Sequence, residues 1–163
     1  MFKIRELANK MDFDFLTDML YESIYISSNK PSKQVLLQTQ PLRKYHRDWG
    51  RAGDIALIAD NQDQEPVGAV WYRVFGEQEK GYGFVSSEIP ELGIAIKSAE
   101  RGKGLGKQLM QAILQEANEA EYPGLSLSVD LDNHGAITLY HKLGFKDVEI
   151  VGTSKTMIYL FKQ

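Results

Sequence analysis

At 163 residues the chain is the size of one domain of the usual ~150 residues, large enough to bury a core without disulfide or metal. Apolar residues make up 43% and charged residues 25%, and 22 acids against 19 bases leave a net charge of −3, which argues against a general binder of nucleic acid or anionic membranes. The absence of cysteine excludes disulfides, thiolate metal sites and a cysteine nucleophile, and fits a reducing compartment. Charges at Lys3, Arg5 and Glu6 interrupt the N-terminus before a leader-like apolar core can form. No apolar run approaches the ~18 residues of a membrane helix, so the expected location is cytoplasmic.

In chain order, a short strand is predicted at about Phe2–Glu6. Phe15, Leu16, Met19, Leu20 and Ile24 then recur at helical spacing, with Asp12 or Asp14 available as the cap. Asn29, Pro31 and their serine neighbours have turn chemistry, and Val35–Trp49 reads as a second helical region interrupted near Pro41. From Asp54 the period shortens. Ile55–Ala59 is an apolar run, Asn61–Pro66 a polar turn, and Val67–Phe75 an alternating strand with Val67, Ala69, Trp71, Arg73 and Phe75 on one face. Glycines at 76, 81 and 83 mark a connection. Leu92–Ile96 is the next strand, and Gly104–Glu121 the longest helix, with Leu105, Leu109, Ala112, Ile113, Ala117 and Ala120 on its apolar stripe. A strand at Leu125–Val129, a short helix at Ala136–Leu143 and strands at about Lys146–Val151 and Lys155–Phe161 complete a single α/β domain with mixed strand directions, spanning residues 1–163.

The stretch from Ile94 to Lys107 carries the chemistry. A strand ends, glycines alternate at 102, 104 and 106, and an amphipathic helix begins. Glycine lets backbone N–H groups converge on a ligand, and a helix start adds unpaired donors with a partial positive charge, so the turn suits a phosphate. Arg101, Lys103 and Lys107 add full charges. A nucleoside-triphosphate loop is excluded twice, because Arg101 stands where its first glycine belongs and Gln108 where its Ser or Thr belongs. The dinucleotide fingerprint fails at Lys107, where its third glycine is required. A turn that only allows close strand–helix packing is the remaining alternative.

Arg101, Gly104 and Gly106 form Arg-x-x-Gly-x-Gly, which resembles the signature of the GNAT N-acetyltransferase superfamily. A second block, Asn133, Ala136, Leu139, Tyr140, Lys142, Gly144 and Phe145, resembles that family's next motif, after the intervening strand. The closing Met157–Leu160 segment also resembles the family's last strand, whereas the first 60 or so residues match only in the order of elements. Ser98 stands where many members carry proline, which would only stiffen the turn.

The resemblance implies a mixed, mostly antiparallel sheet of about seven strands flanked by about four helices, with a splayed parallel pair holding the cofactor. It implies acetyl-CoA, with pyrophosphate on the backbone from Gly102 to Lys107, including Leu105, and the pantetheine arm along Ile94, Ala95 and Ile96. Tyr140 takes the position of the general acid for the departing thiolate, its alternative being an aromatic packed on a short helix. Asn133 is either a ligand of the cofactor arm or the N-cap of its helix. Glu91 is the expected general base, with Glu88 a second candidate on the same approach. Trp71, Arg73 and Tyr25 are expected to line the acceptor pocket, Arg73 because a guanidinium can grip a carboxylate bidentately. His46, His134 and His141 do not have metal-ligand spacing, so no metal is expected.

The implied reaction is transfer of acetyl from acetyl-CoA to an amine of a small molecule or peptide, by direct attack in a ternary complex, since no cysteine can carry the acetyl group. The alternative is a non-catalytic acyl-CoA-binding or regulatory module on the same fold. Homodimers are frequent among such relatives, and neither nucleic acid nor membrane is an expected partner.

Overall fold

The computed structural model describes residues 1–26 and 28–162. Its strands are β1 (Lys3–Glu6), β2 (Ile55–Asp60), β3 (Pro66–Arg73), β4 (Glu91–Ile96), β5 (Gly124–Asp130), β6 (Lys146–Val151) and β7 (Ser154–Leu160). They form one sheet in the order β1-β2-β3-β4-β5-β7-β6. Every neighbouring pair is antiparallel except β4–β5, whose connection is a helical crossover, as a parallel pair requires. That pair is registered at Glu91 opposite Ser126 alone, with Ser126 N–H donating to the Pro90 carbonyl at 3.0 Å. Beyond it the strands part.

The helices are α1 (Lys10–Ser23), α2 (Lys33–Leu37), α3 (Gln40–Arg43), α4 (Leu105–Glu119) and α5 (His134–Leu143). On one face of the sheet α4 buries Leu105, Leu109, Met110, Ile113, Leu114 and Ala117 against β2, β3, β4 and β5. The buried stripe takes Met110 and Leu114 in place of the expected Ala112 and Ala120, since Ala112 is half-buried and Ala120 already caps the helix end. On the other face α1 packs Phe15, Leu16, Met19 and Leu20 over Ile58, Ala69, Trp71 and Ala95. Its cap is Asn9, whose side chain accepts from Asp12 N–H at 3.0 Å; neither Asp12 nor Asp14 fills that role. Asp12 instead takes the Ala8 N–H and the Arg5 guanidinium, which also grips Asp60.

Pro41 begins a helix instead of interrupting one. It lies in the first turn of α3, where its missing N–H has no helical partner to lose. In β3 the expected alternation holds for Ala69 and Trp71 but not for Val67. Gly68 pairs with Ala59 and Pro66 with Asp60, so Val67 is an extra residue whose bulge sends it into the α4-side core. Among the described residues no helix is long and apolar enough to cross a membrane.

Candidate active site

After β4 the chain makes one 3-10 turn at Ser98–Glu100, then enters the glycine run. Gly102 and Gly104 have φ of +79° and +83°, the left-handed region that other residues enter only with strain. Gly106 has an ordinary φ, and a Cβ there would meet Leu139 and Ile96 at van der Waals distance, so its contribution is close packing. The bond from Gln108 N–H to the Gly104 carbonyl opens α4, leaving the N–H groups of Leu105, Gly106 and Lys107 without intrahelical partners. Arg101, Lys103 and Lys107 are exposed around them; Arg101 Nε donates to the Ile96 carbonyl at 3.2 Å and Lys103 pairs with Glu100.

A cavity of about 510 Å³ opens where β4 and β5 part. Glu91, Ile94, Asn133 and Tyr140 line it, as does Tyr25 from the chain after α1. Pro90 directs its carbonyl toward β5, so strand alternation turns the N–H and C=O of Ile94 toward the same gap. Ala95 faces α1 and Ile96 lies outside the lining.

Glu91 is 6% exposed. Its Oε2 accepts from the Tyr45 hydroxyl at 2.8 Å, and that hydroxyl accepts the Tyr82 N–H at 2.6 Å. Its Oε1 has no hydrogen bond of ordinary geometry among the described residues, the Gly83 backbone being its nearby polar neighbour, nor has the buried Ser126 hydroxyl opposite it in register. Buried oxygens without partners are rare, and these two lie across the β4–β5 register, with Oε1 beneath Gly81. Burial pushes the Glu91 carboxyl up to about 7, against the opposing effects of the Tyr45 hydroxyl, the Gly83 backbone and the Lys44 charge. Gly81 makes this arrangement possible, because a Cβ there would overlap Glu91 Oε1.

Tyr140 is buried, packs against Phe145 with ring centroids 5.8 Å apart, and is pushed up to about 12 by that burial. Asn133 caps α5 through the Ala136 N–H at 3.4 Å and also lines the cavity, so its two readings are compatible.

Two of the expected acceptor residues, Arg73 and Trp71, and the second base candidate, Glu88, lie elsewhere. Arg73 is 1% exposed and spends four N–H groups inside the protein: two on Asp54 at 2.8 and 2.9 Å, and two on the carbonyls of Lys44 and Arg47. Buried and with one N–H left, it has no bidentate hold to offer a substrate carboxylate. Trp71 is buried against Gly93 in the α1-side core, and Glu88 is exposed outside the cavity lining. Tyr45, which the sequence reading passed over, stands at the centre of the site. It falls within the stretch read as a second helical region, where nothing local marks it, and its partner Glu91 is 46 residues away.

The seven-stranded sheet opened at one parallel pair, with a glycine turn feeding a helix at that opening, is the architecture of an acyl-CoA-type transferase fold. The profile of the Acetyltransferase (GNAT) family matches residues 20–145, and the chain belongs to that family. Among solved structures, a Salmonella typhimurium acetyltransferase-fold protein with its cofactor acetyl-CoA superposes with a TM-score of 0.72 at 17% identity, covering 100% of this chain and 95% of that one. The mycothiol acetyltransferase of Streptomyces griseus is 34% identical over 89 residues, 55% of this chain and 26% of that protein. The L-methionine sulfoximine/L-methionine sulfone acetyltransferase of Pseudomonas aeruginosa is 29% identical over 96 residues, 59% of this chain and 53% of that one. The chain thus spans about a quarter to a half of the length of these two relatives.

Proposed function

We propose that the protein transfers the acetyl group of acetyl-CoA directly to an amine acceptor, with Glu91 as general base and Tyr140 as general acid. The observation that carries this reading is that both side chains line one cavity at the parting of β4 and β5. The free edge at Ile94 fits an extended, amide-bearing arm, and the N–H groups of Leu105 to Lys107 beside left-handed Gly102 and Gly104 fit a pyrophosphate. Acetyl-CoA, when bound, supplies the activated carbonyl and the sulfur that leaves it.

The Glu91 carboxylate accepts the proton shed as the amine nitrogen bonds to that carbonyl carbon, directly or through one water. With its carboxyl near 7, Glu91 is charged on the alkaline side of neutrality, where amines also begin to lose their protons. Tyr140 donates toward the sulfur as the carbon–sulfur bond breaks. A phenol near 12 is a weaker acid than a thiol at ~8.5, so its first contribution is a hydrogen bond to the developing charge. Burial of the sulfur in the same cavity raises the thiol as well, which lets the proton follow.

Tyr140→Phe is expected to lower kcat about a hundredfold while leaving CoA affinity within about twofold. Unchanged turnover would remove Tyr140 from the mechanism. CoA binding by the wild-type protein without acetylation of any amine in a broad panel would make it a binding module instead.

A further inference from the structure

Resting on the acetyl-transfer reading, we propose that the acceptor is a primary amine on an apolar or aromatic body with no carboxylate beside the amino group. The charged residues in the cavity lining are Glu91 and Asp130, and among the described residues that lining has no lysine, arginine or histidine. Glu91 lines the cavity with a carboxylate that suits an N–H donor and repels a second carboxylate. A carboxylate adjoining the amine would enter the space beside Glu91 with no cation in the lining to meet it, and burying an unpaired charge is costly. The arginine that could have met it, Arg73, is held by Asp54 and two carbonyls.

The lining from α1 to Tyr45, together with Tyr82, is mostly apolar and aromatic, with Ile24, Leu36, Leu42, Tyr25, Tyr45 and Tyr82 beside the hydroxyl residues Ser23 and Thr39. Tyr45 and Tyr82 stack at 6.3 Å with their planes 7° apart, a flat surface for an apolar body. Lys44 is the nearby cation. Its Nζ lies 6.0 and 5.8 Å from the Tyr45 and Tyr82 ring centres and outside the lining, over the stack, and its charge also reaches Glu91.

The test compares acceptors that differ only in the carboxylate: 2-phenylethylamine against L-phenylalanine, and 3-(methylthio)propylamine against L-methionine. Each is assayed for acetylation with acetyl-CoA and for binding to the CoA-loaded protein by calorimetry. The amine is expected to exceed its amino acid in kcat/KM by about a hundredfold or more in at least one series, because a site with unpaired buried charge discriminates strongly. Lys44→Met is expected to leave that ratio within about twofold. Equal or better use of the amino acid, or a ratio that rises in Lys44→Met because Lys44 was already gripping a carboxylate, overturns the proposal. If the amines bind in preference but none is acetylated, the acceptor assignment stands and the acetyl-transfer reading falls. Absence of binding by either amine overturns the acceptor assignment.

Discussion

Glu91 works under two opposing influences, burial that favours its neutral form and the Tyr45 hydroxyl that favours its charge. Tyr45→Phe removes the second influence and leaves the first, so the carboxyl rises further above its ordinary value of 4.5. With Glu91 as the proposed base, the rate follows its charged form, and activity is expected to increase with pH through about 7 in the wild type. In Tyr45→Phe this limb is expected to move upward by about one pH unit, with the plateau rate largely retained. A limb that stays in place would detach Tyr45 from the base. The same raised value acts on stability with the sign opposite to that of a salt-bridged acid. Between 4.5 and about 7 the folded chain keeps a proton that the unfolded chain has released, so this contribution to stability falls as pH rises across that window. Residues were legible in the sequence where a motif fixed their spacing, as with Tyr140 and the glycines. Tyr45 and Arg73 were not, because each is defined by a partner far along the chain. Alternation put Arg73 beside Trp71, but nothing local announces that Asp54 has already claimed it.

At the scale of elements, the loop between β3 and β4 is a structural part of the site. Gly83 sits so close to β5 that a Cβ would lie 2.5 Å from the Leu127 backbone, and Tyr82 beside it supplies the N–H that fixes the Tyr45 hydroxyl. Gly83→Ala is expected to push the loop off β5, costing about 2 kcal/mol of stability. It should lower kcat/KM about tenfold as Tyr45 loses its anchor. Gly76→Ala is the matching control, since a Cβ there meets nothing within 4 Å. Denaturant midpoints and initial rates on the two variants decide the point. The periodic elements here were readable directly: α1, α4 and the strands follow apolar spacing to within a few residues. The loop was marked only as glycine-rich, because contacts with β5 leave no periodic trace. The Val67 bulge and the helix-starting position of Pro41 likewise depend on register and context that local pattern does not contain.

For the whole molecule, the buried Arg73–Asp54 pair joins the end of β3 to the chain entering β2 and, through the Lys44 and Arg47 carbonyls, to the turns after α3. Asp54→Asn is expected to cost about 3 kcal/mol by leaving a buried guanidinium short of its counter-charge. In protein that remains folded, acceptor KM should stay within about twofold, and a selective rise in KM would return Arg73 to the acceptor site. The parting of β4 from β5 has one more consequence, visible to solvent protons. Ile94 lies in the middle strand of a seven-stranded sheet, yet its amide is directed at a gap and not at another strand. Deuterium should therefore enter at Ile94 far sooner than at the paired amides of β2 or β3. Saturating CoA should slow that entry about tenfold or more, giving a reporter of occupancy at one backbone atom that requires no turnover.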